Sequence, residues 1–109
     1  MPQVLPPSVR TYKPRRGRVT PRQQQGLAEG AAFLLNADAP IRVQWPSTLP
    51  LVLEIGFGTG EVTATMAAAD PHTDILAIDV HTPGVGDLLG RIVRHDLANV
   101  RVIEGDALD

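Results

Sequence analysis

From residue 51 onward, short apolar runs alternate with helical patterns, and this alternation constrains the fold more than any other feature. Residues 51–55, 75–80 and 100–104 are mainly apolar and have the length of buried strands. Strands separated by helices pair in parallel, because each right-handed crossover returns the chain to the same end of the sheet. The sequence therefore predicts an α/β fold with three parallel strands.

Two crossover helices are predicted between these strands. The first covers residues 60–69 and carries Val62, Met66 and Ala69 on one face. The second begins at Thr82, and its apolar residues recur at the spacing of an amphipathic helix. They are Val85, Leu88, Leu89, Ile92 and Val93. Apolar faces of this kind are typical of helices that pack on a sheet.

A helix is also predicted before the sheet. Thr20 can cap it, Pro21 suits its first position, and Gln23 completes a capping box. Its apolar face consists of Leu27, Ala31, Leu34 and Leu35, whereas Gly26 and Gly30 weaken it. Residues 36–50 are expected to form a connecting loop, in which Trp45 covers an edge of the core. The chain thus divides into a disordered arm (1–19), a helix and loop (20–50) and the sheet region (51–109).

The charges are unevenly distributed. Residues 1–26 hold six basic side chains and no acid, whereas the remainder holds four arginines and all twelve acids. A basic arm on an acidic body indicates a polyanionic partner, and a solvated tail without a partner remains the alternative. The prolines of the arm argue against a targeting helix.

Composition excludes several other classes of site. The chain has no cysteine, which rules out disulfides and cysteine-ligated metals and favours a cytoplasmic location. The three histidines are scattered, so no metal is expected. No apolar run approaches the roughly 20 residues that a membrane span needs.

The first predicted strand ends in a glycine-rich turn, in which Gly56, Gly58 and Gly60 alternate with other residues after Glu54. Glycines here allow a tight turn and close approach of a ligand to the backbone. A dinucleotide site would require glycine at position 61, which is Glu61. Glu54 would repel a pyrophosphate but suits a ligand with an ammonium and a sulfonium, as in S-adenosylmethionine. A purely structural turn is the alternative.

Two further acids follow the other predicted strands. Asp79 ends the second strand, near the spacing at which nucleotide-binding sheets place an acid for ribose hydroxyls. Asp106 follows the third strand, where it could reach an adenine amine. Either acid alone could simply cap a turn. Because acids at three successive strand ends meet at one edge of the sheet, together they favour an S-adenosylmethionine site.

Several segments resemble the bacterial tRNA (guanine-N7)-methyltransferases. They are Leu53-Glu54-Ile55-Gly56-Phe57-Gly58, Ile78-Asp79-Val80-His81, Pro83-Gly84-Val85-Gly86 and the entry segment around Arg15-Arg16-Gly17-Arg18-Val19-Thr20. The resemblance implies the N-terminal half of a Rossmann-like class I methyltransferase. It also implies cofactor contacts from Glu54, Gly56, Asp79 and Asp106, tRNA contacts for which Arg15, Arg16 and Arg18 are candidates, and methyl transfer to N7 of a guanine in the tRNA variable loop.

The chain departs from the family pattern in two respects. Family members often carry glutamate where this chain has Asp79. The family's Phe-Pro-Asp-Pro-Trp block, with its catalytic aspartate, and its C-terminal tRNA-binding segment have no counterpart in the sequence. The resemblance therefore implies a fragment, with the catalytic aspartate beyond Asp109, and we expect the isolated chain to be poorly folded and inactive.

Two other functions remain open at this point: another class I methyltransferase, and a non-catalytic S-adenosylmethionine-binding module. The basic arm argues against a small-molecule methyltransferase, since such a substrate needs no polyanion-binding strip. A dehydrogenase is disfavoured by the glycine spacing.

Overall fold

The computed structural model describes residues 18–106. It contains four α-helices and three strands, with one turn of 3₁₀ helix at Ala31–Phe33. In chain order they are α1 (Pro21–Glu29), α2 (Ile41–Gln44), β1 (Leu51–Ile55), α3 (Glu61–Ala69), β2 (Asp74–Asp79), α4 (Thr82–His95) and β3 (Val100–Glu104).

The three strands form a parallel sheet in the order β1-β2-β3. Leu53 pairs with Leu76, and Ala77 pairs with Val102, so the carboxyl ends of all three strands meet at one edge. The predicted α/β class is confirmed, and the architecture is that of a partial Rossmann-like sheet with helical crossovers.

The two faces of the sheet have separate cores. On one face, α4 contributes Val85, Leu88, Leu89 and Ile92, all fully buried, to a cluster that includes Ala77 and Val102. On the other face, Trp45 packs on Leu76 and Ile103. Successive residues of β2 belong to alternate clusters, as the two-residue period of a strand requires.

The segment before β1 covers both faces by passing around the outer edge of β3. The Leu35 N–H donates to the Val102 carbonyl (2.7 Å), and α1 packs on α4 on one side of the sheet. Phe33 packs against the cluster on the α4 side, whereas Trp45 belongs to the cluster on the other side. The Arg101 guanidinium lies 4.8 Å from the Phe33 ring centroid and 4.9 Å from that of Trp45. Burial lowers the pKa of Arg101, and the nearby Asp74 carboxylate partly opposes this.

Two expectations for the segment before β1 are wrong. The first helix was expected to extend through Leu35, but α1 ends at Glu29 and is capped by Gly30. Leu34 is extended and bridges to Val102, because pairing with the β3 edge is incompatible with a helical backbone. The loop predicted at 36–50 also contains a helix, α2, whose Ile41 packs on the Trp45 cluster.

The apolar face predicted for α3 is also wrong. Val62 is 65% exposed and Met66 is 41% exposed, whereas Thr63, Ala64 and Ala67 are buried. The close approach of the neighbouring elements selects the face with small side chains. Periodicity alone could not indicate this, because Val62 and Met66 have the same spacing on the opposite side.

The β1 strand forms an open edge among the residues that the structure describes. Its apolar side chains Leu51, Val52, Leu53 and Ile55 are 44–61% exposed. The strand therefore presents an exposed apolar edge within the described part of the chain. Within residues 18–106, no helix combines the length and apolar character needed to cross a bilayer.

Candidate functional site

The turn between β1 and α3 is shaped by three glycines with positive φ. The angles are +74° at Gly56, +65° at Gly58 and +80° at Gly60. Only glycine adopts this region without a steric penalty, and this explains the alternating spacing. The Gly56 N–H donates to the Ile78 carbonyl (2.8 Å), which ties the turn to the neighbouring strand.

The space above this turn is open. A Cβ atom built on Gly56 or Gly58 would have no atom within 4 Å, whereas one built on Gly60 would lie 2.7 Å from Leu88. Gly60 is thus required for packing, and the first two glycines border free space. A ligand can approach their backbone directly, next to the N-terminus of α3, where backbone N–H groups have no helical partner.

The turn is held from both sides. Phe57 is buried and belongs to the core cluster beneath α4. At the start of α4, a Cβ on Gly84 would lie 2.2 Å from the Gly58 carbonyl oxygen. The Pro83-Gly84-Val85-Gly86 run therefore has a packing explanation, since Gly84 lets α4 begin directly against the glycine turn.

Glu54 lies just before this turn and is half-buried. Its Oε1 accepts a hydrogen bond from the hydroxyl of Thr63, a fully buried residue in the first turn of α3. Thr63 could not be identified from the sequence, because a threonine nine residues after Glu54 belongs to no recognisable motif. Only the return of α3 across β1 brings the two side chains together.

Asp79 connects the end of β2 to the glycine turn. Its Oδ2 accepts a hydrogen bond from the Gly58 N–H (3.2 Å), and its Oδ1 accepts from Val80 N–H (2.7 Å) and His81 N–H (3.2 Å). The carboxylate therefore caps the turn that follows β2 and also touches the candidate ligand loop. The geometry therefore allows Asp79 both to cap this turn and to contact a ligand at the glycine turn.

The end of β3 lies beside Asp79. The Gly105 N–H donates to the Asp79 carbonyl (2.9 Å), and Asp106 follows as an exposed residue. Glu104, the register partner of Asp79, accepts a hydrogen bond from the Thr82 hydroxyl (2.5 Å) at the start of α4. This contact between Thr82 and Glu104 could not be predicted from the sequence, because it depends on how α4 begins beside β3.

The basic arm lies only partly within the described residues. Arg15 and Arg16 lie outside them, and Arg18 is exposed just before α1. The start of α1 is fixed to the start of α4, because Gln23 Nε2 donates to Asp87 Oδ2 (3.0 Å). Since Gly84 of α4 touches the glycine turn, the chain enters α1 on the side of the sheet edge that carries the acids.

Metal ions need sets of ligand side chains that lie close together. Residues 18–106 contain no group of three or more histidine, cysteine, aspartate or glutamate side chains that could hold a metal ion. What the arrangement offers is an open glycine turn with carboxylates on two adjacent strands. Such a site can bind a ligand that carries positive charge and hydroxyl groups.

Comparison with known proteins identifies related sequences. Residues 48–109 match the family model described as "Putative methyltransferase". The chain is similar to the tRNA (guanine-N(7)-)-methyltransferases of Streptomyces coelicolor (50% identity), Streptomyces avermitilis (48%) and Paracidovorax citrulli (41%). The matches cover 92%, 92% and 97% of this chain but 39%, 36% and 44% of those proteins. The chain thus spans about two fifths of the length of these relatives.

Proposed function

The chain belongs to this methyltransferase family, and we propose that it forms the S-adenosylmethionine-binding part of a tRNA (guanine-N7)-methyltransferase. The observation that carries the proposal is the open glycine turn between Glu54 and Asp79. It occurs in a chain that is 50% identical, over 105 residues, to a protein with that name. The methyl donor follows from the family, and its identity as S-adenosylmethionine from the chemistry of the site.

The residues around the turn fit this cofactor. Glu54 would bind its cationic portion, Gly56 would let it approach the backbone, Asp79 would accept hydrogen bonds from the ribose hydroxyls, and Asp106 would accept one from the adenine amine. Asp79 can still accept a further hydrogen bond from the ribose. A carboxylate has about four lone-pair sites, and three of them accept from backbone N–H groups. When bound, the cofactor supplies a methyl group on a sulfonium.

The proposed acceptor, guanine N7, has a lone pair and no proton. The protein therefore needs no general base to create the nucleophile, and its task is to hold N7 in line with the methyl group. Carboxylates near the reacting atoms would stabilise the positive charge as it moves to the base. In this proposal the catalytic aspartate of the family belongs to the remainder of the enzyme.

The basic arm would contribute to tRNA binding. Arg15, Arg16 and Arg18 would contact phosphates, which fixes the position of the RNA without reading its sequence. Such binding weakens as salt concentration rises, because counterions are released from the RNA. A cytoplasmic location accords with a tRNA substrate.

Calorimetric titration of the protein with S-adenosylmethionine tests the cofactor site. We expect the unaltered chain, in its folded form, to bind S-adenosylmethionine and the Asp79→Ala variant to lose this binding, since that carboxylate both contacts the glycine turn and would receive the ribose. Asp38→Ala is the matched control, because Asp38 is an exposed acid in the segment before α2. Thermal unfolding of each variant separates loss of the site from loss of the fold. Absence of binding by a folded, unaltered chain would contradict the proposal.

A further inference from the structure

Thr63 is one of two threonines in α3 that form different hydrogen bonds. Thr65 is exposed, and its hydroxyl donates to the Glu61 carbonyl (2.9 Å) within the same helix, as threonines in helices commonly do. Thr63 is fully buried, and its hydroxyl donates to Glu54 Oε1 on β1. The hydroxyl of Thr63 thus leaves its own helix for a carboxylate.

The hydrogen bond from Thr63 can hold the Glu54 side chain in one position. Glu54 and Thr63 lie on opposite sides of the glycine turn, the first before it and the second after it. A hydroxyl has one hydrogen to donate, so it occupies only one carboxylate oxygen. Among the described residues, no hydrogen bond is made to Oε2 of Glu54, which remains available as an acceptor.

We infer that Thr63 is a positioning residue, whose hydroxyl holds the Glu54 carboxylate ready for the ammonium group at the amino-acid end of the methyl donor. A glutamate side chain loses substantial rotamer freedom when it is fixed. If Thr63 has already fixed it, ligand binding does not incur that cost, and affinity rises through preorganisation. This inference rests on the proposed function, because it takes Glu54 as the group that meets the positive charge.

A purely structural role for Thr63 makes a different prediction. Removing buried packing would weaken every ligand of the site to a similar degree, because the whole turn would shift. A positioning role affects only the ligand portion that Glu54 touches. Two probes distinguish these outcomes: S-adenosylhomocysteine carries the amino-acid ammonium, and 5′-methylthioadenosine has the adenosine and sulfur without it.

The test is calorimetric titration of both probes into the protein and its Thr63→Val variant, which keeps the side-chain volume and loses the donor. We expect about tenfold weaker binding of S-adenosylhomocysteine, the scale of one hydrogen bond to a charged group, and unchanged binding of 5′-methylthioadenosine. Thr63→Ser should restore binding of the first probe. Thr65→Val is the matched control and should change neither. In a Glu54→Ala background, Thr63→Val should have no further effect.

Equal weakening of both probes, or no weakening of either, would overturn the inference while leaving the proposed cofactor site intact. Failure of the unaltered protein to bind either probe would overturn the proposed function, and this inference with it. If Thr63→Val does not fold, Thr63→Ser and Thr63→Ala provide the same comparison, because those two variants differ only in the hydroxyl.

Discussion

At the scale of single residues, Asn99 has a structural role that no sequence motif reveals. Its side chain is buried, and its Nδ2 lies within hydrogen-bond distance of three carbonyl oxygens, those of Ala67 (3.1 Å), Asp70 (3.0 Å) and Thr73 (2.9 Å). These carbonyls belong to the end of α3 and the turn before β2. One amide group thus joins the turn between α3 and β2 to the start of β3.

We predict that Asn99→Ala lowers the free energy of unfolding by about 2–3 kcal/mol, since three carbonyls, one of them buried, lose their donor and a cavity forms. Denaturant unfolding monitored by circular dichroism measures this loss. Asn36→Ala provides the control and should change stability by less than about 1 kcal/mol, because Asn36 is exposed and its side-chain oxygen accepts a single exposed hydrogen bond, from the Asp38 N–H (2.8 Å). Similar values for the two variants would refute the assigned role of Asn99.

At the scale of elements, the contact between α1 and α4 depends on glycine. A Cβ on Gly26 would lie 2.2 Å from the Gly86 carbonyl oxygen, and one on Gly86 would lie 2.6 Å from the Gln23 carbonyl oxygen. The two helices therefore meet backbone to backbone. In the sequence analysis Gly26 only weakened a helix, whereas in the structure it is the residue that allows α1 to dock.

Gly26→Ala distinguishes these two interpretations by the sign of its effect. Helix propensity alone predicts stabilisation by about 1 kcal/mol. The contact with Gly86 instead predicts destabilisation by about 1–3 kcal/mol, because overpacking separates the helices. Thermal unfolding measures the sign. Gly105→Ala is the control, because a Cβ added at Gly105 would meet its nearest atom only at 3.8 Å.

At the scale of the whole molecule, one edge of the sheet is covered and the other edge is open. The outer edge of β3 is paired with Leu34 and Leu35, whereas β1 exposes both its apolar side chains and its unpaired edge within the described part of the chain. Exposed apolar strand edges of this kind promote pairing between molecules.

We therefore predict that the 109-residue chain self-associates as its concentration rises. Val52→Lys should reduce this association, because a charge on an edge strand opposes strand pairing. Light scattering coupled to size-exclusion chromatography measures the mass. Val43→Lys is the matched control, since Val43 is 75% exposed but lies on α2. A monomer of unchanged mass across the concentration range would refute the prediction.

The sequence by itself determined the local elements. The bounds of β1 and β3, the Thr20 capping box and most of the buried face of α4 were predictable, because each depends on residues close together in the chain. The exception on α4 is Val93, which is 36% exposed. The tight turn was also predictable from its alternating glycines, since a backbone with positive φ strongly favours glycine. The position of the strand-end acids at one edge of the sheet followed from the parallel topology.

Only the tertiary structure decided which surfaces meet. It selected the small face of α3, ended α1 where the chain had to pair with β3, and brought the Thr63 hydroxyl to Glu54. It also gave Gly26 its function as a contact with α4. These outcomes depend on steric fit and hydrogen-bond satisfaction between residues distant in sequence, and neither quantity is encoded in a local pattern.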